Sequence, residues 1–334
     1  MNNLLSKKDT LQKRQEIIRA IRDYFYGIGY LEVQVPLLIR GTNPDAFLTS
    51  FEVFENQNFR GYLTTSTEFQ IIRLLAAGYS KVYTLASNFR ASDQDLTHNQ
   101  EFTMLEWEAV NVSMLQLEKE AEEFIQKAFQ DLFPTSEYLE YNQKRLRLVG
   151  EPWERLTVRE AFKKYLNINI DADFSLTSMQ TETKKAGLTV PEELSNDQGL
   201  LFSWLIDQAQ KNFGQTVPTW IIEWPLFQTS MAEPLASNPQ AADRSELYIA
   251  GLEIANGFTT VCDIAKQRAL FEEQQQERKR QGKKPVTVDE KYLNDLEARP
   301  LQAAGIALGI ERLVMILTNK KTISEVMAFG WNEL

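Results

Sequence analysis

The sequence predicts an α+β fold in which an antiparallel β-sheet is flanked by helices. Two stretches indicate the sheet. Residues 82–85 are rich in β-branched and aromatic side chains, and after a polar loop residues 101–107 run back as a second strand. Residues 245–258 form another hairpin, turned near Ala250 and Gly251. Helical apolar spacing near both ends of the chain supplies the covering helices.

Composition limits the class of protein. With 334 residues and 43% hydrophobic content, the chain can bury one large core or two smaller ones. Its 46 acidic and 36 basic residues leave a net charge of −10, which argues against a general nucleic-acid binder. The single cysteine, Cys262, allows no internal disulfide and indicates a reducing, cytoplasmic location. The N-terminus lacks the apolar core of a signal peptide, and no run reaches transmembrane length, so no membrane association is expected.

The N-terminal region begins with a helix. Residues 11–26 form an amphipathic helix because apolar side chains recur every three or four positions. Glycines end it, and residues 30–36 follow as an extended run closed by a proline, a pattern typical of an edge strand. Residues 62–68 then lead into a helix that runs through Leu75, with Glu68 in its first turn. The helix dipole favours a carboxylate there, with or without a ligand.

The stretch 81–110 carries the first candidate site. Alternation along the return strand puts Phe102 and Glu106 on one face, close to Arg90 and His98. An arginine and a histidine suit phosphate oxygens, and a phenylalanine offers a flat surface to an adenine. The alternative is that Arg90 pairs with Asp93 or Asp95 and that Phe102 belongs to the core.

The middle of the chain predicts structure rather than chemistry. Residues 113–217 are mostly helical and acidic, and they predict a helical insertion between core strands, including residues 171–195. Thr157 followed three positions later by Glu160 is a capping box at the start of one helix. A buried strand returns at 218–225.

Two glutamates in the second hairpin form the next candidate site. Glu246 and Glu253 are seven residues apart, so a single strand would place them on opposite faces. The predicted hairpin instead brings them close to opposite one another. Facing carboxylates repel unless a cation or a shared proton lies between them, and Mg²⁺ bridging phosphates would satisfy both. The alternative is an exposed hairpin in which water screens the repulsion.

A charged helix follows at 266–280 and ends in Arg278-Lys279-Arg280, with two further lysines just beyond. Basic side chains at a helix C-terminus interact favourably with the dipole, so a solvated face is expected. A docking site for an acidic partner is the less favoured interpretation.

The last motif is a strand at 305–309 followed by a helix at 310–317. Arg312 lies in the first helical turn, where the dipole disfavours a cation. An arginine at that position is favourable if an anion binds beside it. The alternative is that its side chain simply extends into solvent.

Together these motifs resemble the class II aminoacyl-tRNA synthetases, and most closely their lysyl branch. The helix, glycine, strand and proline at 11–36 are similar to motif 1. The order FR, short loop, HNxEFTxxE at 89–106 resembles motif 2, and GIALGIERL at 305–313 resembles motif 3. The string ExxNGF at 253–258 also matches the lysyl enzymes.

The resemblance implies a class II synthetase-type fold in one catalytic domain, residues 1–334, and a homodimer with motif 1 at its interface. It also implies that an amino-acid carboxylate attacks the α-phosphate of ATP, with Mg²⁺ as the metal. Arg90 and Arg312 would be the catalytic residues, holding the α- and γ-phosphates, and Phe102 with Arg312 would enclose the adenine. The other implied contacts are Ser92, His98, Asn99, Glu246, Leu247 and Gly309 to ATP; Ser66, Glu68, Glu106, Glu108, Glu253, Asn256 and Phe258 to the amino acid; and Glu246 with Glu253 to Mg²⁺.

The layout narrows the resemblance further. Too few residues precede motif 1 for the N-terminal OB-fold with which lysyl-, aspartyl- and asparaginyl-tRNA synthetases read an anticodon, so no anticodon-binding domain is expected. This resembles the stand-alone lysyl paralogues, the elongation factor P–lysine ligases, which attach β-lysine to a lysine side chain of elongation factor P. Elongation factor P is then the expected partner, and tRNA binding is less favoured.

Three positions depart from the lysyl pattern. Ser92 stands where a glutamate would meet the adenine amino group, with Asp93 one residue away as a substitute. Glu108 stands where the amino-acid pocket has a tyrosine, and Thr260 replaces a glutamate. These departures leave two other functions open. One is a stand-alone enzyme that charges tRNA or another acceptor with a different amino acid, and the other is a non-catalytic regulator that binds ATP or an amino acid.

The predicted amino-acid pocket nevertheless favours a cationic substrate. Glu68, Glu106 and Glu108 would surround it with carboxylates. Ile71 and Ile72 provide no lysine that could pair with an aspartate side chain, which argues against aspartyl-type specificity.

Overall fold

The computed structural model describes residues 2–92, 94–170, 174–229 and 231–334. The chain divides into two compact units. The first contains the chain up to Ser136 and again from Thr259 onward, and the second contains Glu137–Phe258. Two predictions fall on residues outside the described ones. They concern Asp93, as the substitute for the missing glutamate, and the start of the helical segment predicted at 171–195.

Eleven α-helices and fourteen strands are formed by the described residues. The helices are α1 (Asn2–Ser6), α2 (Lys8–Gly27), α3 (Glu68–Ala76), α4 (Met114–Leu132), α5 (Val158–Leu166), α6 (Leu176–Lys185), α7 (Glu192–Ser195), α8 (Gln198–Gln210), α9 (Ile264–Arg280), α10 (Glu290–Ala298) and α11 (Ile310–Leu317). The strands are β1 (Leu31–Glu32), β2 (Leu38–Ile39), β3 (Glu52–Glu55), β4 (Asn58–Leu63), β5 (Lys81–Phe89), β6 (Glu101–Val110), β7 (Tyr138–Tyr141), β8 (Lys144–Arg147), β9 (Glu154–Thr157), β10 (Thr219–Pro225), β11 (Pro234–Leu235), β12 (Asn238–Ile249), β13 (Leu252–Thr260) and β14 (Ala303–Gly309).

In the first unit, the main strands run in the order β1-β5-β6-β14. The long pairs β5–β6 and β6–β14 are antiparallel, and only β1 joins in parallel. Trp107 of β6 is fully buried, with its ring 5.5 Å from that of Phe25 in α2 and 5.6 Å from that of Phe124 in α4. Edge-to-face aromatic contacts of this kind add to the gain from burial. Helices α2 and α4 therefore cover this sheet.

A smaller sheet, β2-β4-β3, and the helix pair α3 and α10 complete this unit around the candidate site. Phe69 of α3 stacks on Tyr292 of α10 with ring centroids 4.1 Å apart, and both side chains are buried. This packing fixes the first turn of α3, which carries Glu68.

In the second unit, the strands run β9-β10-β12-β13, with β11 beside β12 and a separate hairpin of β7 and β8. Helices α5, α6 and α8 pack on this sheet through a core that includes Phe162, Phe202, Phe213, Trp224 and Tyr248. Thr157 and Glu160 form the predicted capping box at the start of α5.

The predicted α+β class, an antiparallel sheet flanked by helices, is confirmed. Within the described residues, no helix is both long and apolar enough to cross a membrane. The extended run predicted at 30–36 forms a strand only at Leu31–Glu32. Its pairing with β5 covers these two residues, and one further bond, from Val33 N to Tyr83 O at 2.9 Å, extends it.

The predicted solvated face at the end of α9 is wrong for one of its residues. Arg278 is only 5% exposed, and its guanidinium donates to the carbonyl oxygens of Asp45, Leu48 and Lys284. Arg280, in the same last turn, is largely exposed as expected. The dipole argument does not distinguish these residues, because two of the carbonyls that Arg278 meets, those of Asp45 and Leu48, lie in a distant part of the chain.

Candidate active site

The pairing of β5 with β6 brings the first predicted residues together. Asn88 lies opposite Phe102, and Thr84 lies opposite Glu106. The Arg90 guanidinium lies over the Phe102 ring, 5.3 Å from its centroid. Arg90 Nε is buried and, within the described residues, has no hydrogen-bond acceptor. A buried cationic donor of this kind is costly unless an anion accepts from it, so the arrangement suits a phosphate.

The loop after β5 holds His98. The Asp95 carboxylate accepts from the backbone amides of Thr97 and His98 at 2.6 and 2.9 Å, and its Oδ2 lies 2.9 Å from His98 Nδ1. Burial opposes ionisation of Asp95, but the hydrogen bonds from Thr97 and His98 outweigh it and lower the pKa of this carboxyl to about 2. Asp95 therefore partners His98 rather than Arg90, which contradicts one form of the alternative interpretation; the other form, a pair with Asp93, lies outside the described residues.

His98 also meets Arg312, since Arg312 Nη2 hydrogen-bonds to His98 Nε2. Because a guanidinium can only donate, Nε2 is the acceptor and Nδ1 carries the proton towards Asp95. Two predicted ATP ligands, 214 residues apart in sequence, are thus in direct contact. Asn99 is 8% exposed and donates to Glu101 O at 2.7 Å, whereas Ser92 is exposed in the same loop.

The start of α11 is held by residues that the sequence did not indicate. Glu311, beside Arg312, is 2% exposed and accepts from Arg14 Nη2 of α2 and from the backbone N–H of Thr103, both at 2.8 Å. Gly309 is the N-cap of this helix. Glu311 thereby joins α2, β6 and α11, and it fixes the turn from which Arg312 extends. An acidic residue in a first helical turn was a visible signal, but its partners were not.

Glu106 is held by the turn that precedes α3. It accepts from Ser66 Oγ at 2.5 Å, from Thr67 N at 2.6 Å and from the Thr67 hydroxyl. Burial raises the pKa of Glu106, while the hydrogen bonds from Ser66 and Thr67 oppose that change. With three donors in place, Glu106 orients the Ser66–Glu68 turn, and its direct contact with a substrate stays a prediction.

Glu68 and Glu108 are in a different state. Oε1 of Glu68 and Oε2 of Glu108 are buried, and neither has a hydrogen-bond partner within the described residues. Burial, and then the charge of Glu106, raises the pKa of Glu68 to about 8. Burial, then Glu68 and Glu106, raises the pKa of Glu108 well above its ordinary value. A cationic group placed between them would satisfy both oxygens.

The absence of a side chain at Gly305 leaves room for Glu108. Gly305 of β14 lies directly opposite it, and a Cβ at position 305 would be only 2.2 Å from Glu108 Cγ. Glu68 itself lines a small recess that is partly open to solvent. The recess is lined by Ile39, Thr42, Asn43, Thr65, Ser66, Glu68, Phe69 and Gln70. Ser66 and Glu68 thus border the same recess.

In the second unit, three residues alternate along one face of β12. Arg244 Nη2 donates to Glu246 Oε1 at 2.5 Å, and the Tyr248 hydroxyl donates to Glu246 Oε2 at 2.6 Å. Arg244 Nε also donates to Asn256 Oδ1 at 3.0 Å. Sequence reasoning missed Arg244 and Tyr248, although stepping two residues either way from Glu246 would have found both.

The predicted facing of the two glutamates is corrected by the register. Glu253 lies opposite Tyr248, as the turn at Ala250-Gly251 alone requires, and Glu246 lies opposite Asn256 after an irregularity beside Leu247 shifts the pairing by one residue. The carboxylates still interact: burial raises the pKa of Glu246 to about 7, Arg244 opposes this, and repulsion by Glu253 adds to it.

The other predicted residues of this hairpin lie around Glu246. Leu247 is fully buried, so only its main chain can meet a ligand, and Phe258 lies opposite Arg244. Among the described residues, no cluster of three or more acidic, histidine or cysteine side chains could hold a metal by itself. Mg²⁺ commonly takes one or two carboxylates and completes its shell with phosphate and water oxygens. Glu246 and Glu253 fit that requirement.

The chain belongs to the class II tRNA synthetase family. The family profile for "tRNA synthetases class II (D, K and N)" matches residues 5–333. The antiparallel sheet, the arginine of the strand–loop–strand motif and the arginine at the start of α11 agree with that membership.

Similar proteins include several named elongation factor P–(R)-β-lysine ligase. The protein of that name from Haemophilus ducreyi is 32% identical over 328 residues, which cover 96% of this chain and 93% of that protein. The one from Proteus mirabilis is 32% identical over 326 residues, covering 96% and 94%. The one from Salmonella dublin is 31% identical over 326 residues with the same shares.

Proposed function

We propose that this protein is an ATP-dependent ligase that activates a lysine-like amino acid and transfers it to a lysine side chain of elongation factor P. The observation that carries the proposal is the pair of buried, unpaired carboxylate oxygens on Glu68 and Glu108. They favour a substrate with an ammonium group. The names of the similar proteins support elongation factor P as the acceptor.

In the first proposed step, an oxygen of the amino-acid carboxylate attacks the α-phosphorus of ATP. The new bond joins that oxygen to phosphorus, and the bond to the departing pyrophosphate breaks, leaving an aminoacyl-adenylate. No nucleophile on the enzyme is required, so the contribution of the protein is positioning and charge neutralisation.

The residues divide this work between them. Arg90, whose buried Nε lacks an acceptor, is suited to the α-phosphate, and Arg312 is suited to the terminal phosphates. His98 keeps the guanidinium of Arg312 in place. Bound Mg²⁺ at Glu246 and Glu253 would neutralise phosphate charge.

In the second proposed step, the uncharged amine of the acceptor lysine attacks the carbonyl carbon of the adenylate. An amide bond forms, AMP leaves with the bonding electrons, and the amine loses its proton to solvent. The protein's net charge of −10 does not favour a nucleic-acid acceptor, which is consistent with a protein acceptor.

A second candidate is an enzyme that activates a different amino acid for tRNA or another acceptor. Glu108 supports it, because this buried carboxylate stands where the lysyl enzymes have a tyrosine and changes the pocket's charge. A third candidate is a non-catalytic regulator. Ser92, which is exposed in the loop after β5, supports it, because a hydroxyl binds the adenine amino group less firmly than a carboxylate does.

Exchange of labelled pyrophosphate into ATP tests the activation step. The assay should be run with each of the twenty amino acids and with both β-lysine enantiomers. We expect exchange with lysine-like substrates alone, and a separate assay with a radiolabelled amino acid should show its transfer to elongation factor P. Exchange with none of them would favour the regulator. Transfer to tRNA but never to elongation factor P would favour the second candidate.

The active form is proposed to be a homodimer. Large apolar side chains are left exposed near the proposed motif 1 interface: Tyr26 at 85%, Leu31 at 47% and Leu38 at 51%. Apolar surface of this kind is typical of contacts between subunits. Light scattering coupled to size-exclusion chromatography should give twice the mass of one chain, and a monomer at micromolar concentration would contradict the proposal.

A further inference from the structure

Residues 41–50, between β2 and β3, contact both parts of the proposed site in the first unit. This segment is called the 41–50 loop. Two of its residues, Thr42 and Asn43, line the same recess as Ser66 and Glu68. At its other end, Thr49 O accepts from the backbone N–H of Ala91 at 2.9 Å. The position of the loop therefore sets one wall of the recess and contacts the residue that follows Arg90.

A single buried guanidinium holds this loop in place. Arg278 Nη1 donates to Asp45 O at 2.9 Å and to Leu48 O at 3.0 Å, and its Nε donates to Lys284 O at 3.1 Å. Burial lowers the pKa of Arg278, yet an arginine stays charged at any physiological pH. Arg278 therefore directs a full positive charge at main-chain carbonyls in the middle of the loop.

Further bonds connect the loop to the segment after α9. Lys283 Nζ donates to Ala46 O at 2.5 Å, and Ala46 N donates to Gln274 Oε1 at 3.0 Å. Thr42 N donates to Thr287 O at 2.8 Å. At Gly41, a Cβ would lie 2.6 Å from Asp289 N, so the two backbones pack too closely for any side chain at position 41. The loop is thus fixed along its length, and Arg278 makes the central bonds.

We infer that Arg278 is a positioning residue for the amino-acid substrate, acting through the 41–50 loop. The inference deepens the proposed function and rests on it, because the recess is taken to be the amino-acid pocket. Without the guanidinium, two carbonyls lose their donor in a partly buried setting, which favours an open loop. An open loop leaves the wall formed by Thr42 and Asn43 poorly defined. The groups that bind ATP change less, because the loop meets them only through the bond from Ala91 N to Thr49 O.

The test compares Arg278→Gln and Arg278→Lys with the matched control Arg280→Gln, which changes an exposed arginine of the same helical turn. In pyrophosphate exchange, we expect Arg278→Gln to raise KM for the amino acid about tenfold and to leave KM for ATP within about twofold. Arg278→Lys should give a smaller rise, since lysine keeps the charge but not the planar fork. Hydrogen exchange of the backbone amides at 41–50 should become faster in the same order, and the control should match the wild type.

Several outcomes would overturn the inference. One is a lower melting temperature of Arg278→Gln with both KM values unchanged, which would make the residue purely structural. Another is unchanged hydrogen exchange at 41–50. If Arg278→Gln does not fold, Lys283→Gln removes one bond to the same loop and should show the same KM split in weaker form. If the wild type exchanges no labelled pyrophosphate into ATP with any amino acid, the proposed function fails. The rates of hydrogen exchange at 41–50 still test whether Arg278 holds the loop.

Discussion

Glu68 and Glu108 place two carboxyl groups in one buried space, each with an oxygen that lacks a hydrogen-bond partner within the described residues. Most buried polar atoms in proteins are satisfied, so two orphans beside one another indicate a missing partner. A cation between them would supply that partner, whereas Glu106, the third carboxylate, already accepts three hydrogen bonds.

The first prediction concerns Glu108. Glu108→Gln should raise KM for a cationic amino acid about 30-fold, since a buried charge pair loses one partner, and leave KM for ATP unchanged. Pyrophosphate exchange with lysine and with the uncharged norleucine measures this. Glu101→Gln, an exposed change at the start of the same strand, is the control. An unaltered preference for lysine over norleucine would contradict the prediction.

The second prediction concerns Arg312. Arg312→Ala should abolish exchange because the terminal phosphates lose their counter-charge, and the melting temperature should change little. An arginine in a first helical turn opposes the helix dipole, so its removal costs the fold little. Exchange assays and thermal melting monitored by circular dichroism check both parts. Undiminished exchange would show that the motif 3 assignment is wrong.

At the scale of secondary-structure elements, Glu311 joins three of them. Its carboxylate accepts from Arg14 of α2 and from the amide of Thr103 in β6, while it belongs to α11. The pairing of β6 with β14 ends where Met104 lies opposite Gly309, so Thr103 has no residue of β14 opposite it. Its N–H would therefore lack a partner without Glu311. The orientation of Arg312 follows from this junction.

The third prediction tests that junction. Glu311→Ala should lower the free energy of unfolding by about 3 kcal/mol, and Glu311→Gln by less, because glutamine keeps an acceptor for Thr103 but loses the ion pair. Both variants should also reduce kcat/KM for ATP, although Glu311 is not proposed to touch substrate. Urea unfolding and exchange assays measure the two effects. In a double-mutant cycle, Arg14→Gln should be less destabilising on top of Glu311→Gln than alone. Full additivity would exclude the coupling.

The elements were largely predictable from sequence, whereas their register and long-range partners were not. Alternation located the β5–β6 pair and the hairpin turn at Ala250-Gly251, because both signals are local. The register shift after Leu247, which pairs Glu246 with Asn256, leaves no local signal in the pattern. Arg278 was predicted to be solvated from its position at a helix C-terminus. The prediction failed because its partner carbonyls in the 41–50 loop are more than 200 residues away and give no local signal. The candidate site was predicted from motifs, and its supporting contacts required the fold.

At the scale of the whole molecule, the buried acids couple stability to pH. Folding raises the pKa of Glu68 to about 8 and of Glu246 to about 7, and it raises that of Glu106 and Glu108. A carboxyl whose pKa is raised binds its proton more tightly in the folded state. Its stabilising contribution is complete below the unfolded-state pKa and is lost as pH rises through the folded-state value. Asp95, with a pKa lowered to about 2, acts in the opposite direction and only at acid pH.

The fourth prediction follows from these signs. The free energy of unfolding should fall as pH rises from about 5.5 to about 8.5, and Glu68→Gln should flatten that fall. Urea titrations at a series of pH values give the comparison. Bound lysine should reverse the trend, because an ammonium group stabilises the ionised carboxylates. Stability that rises over the same range in the unliganded wild type would refute the assignment.

Gly305 carries an evolutionary consequence. Because a Cβ there would lie 2.2 Å from Glu108 Cγ, the two positions cannot change independently. Descendants of this sequence that exchange the carboxylate for a smaller side chain become free to accept alanine at 305, and those that keep it are confined to glycine. The pair should therefore covary in an alignment of relatives, and the residue found at 305 should report which kind of pocket a given lineage has inherited.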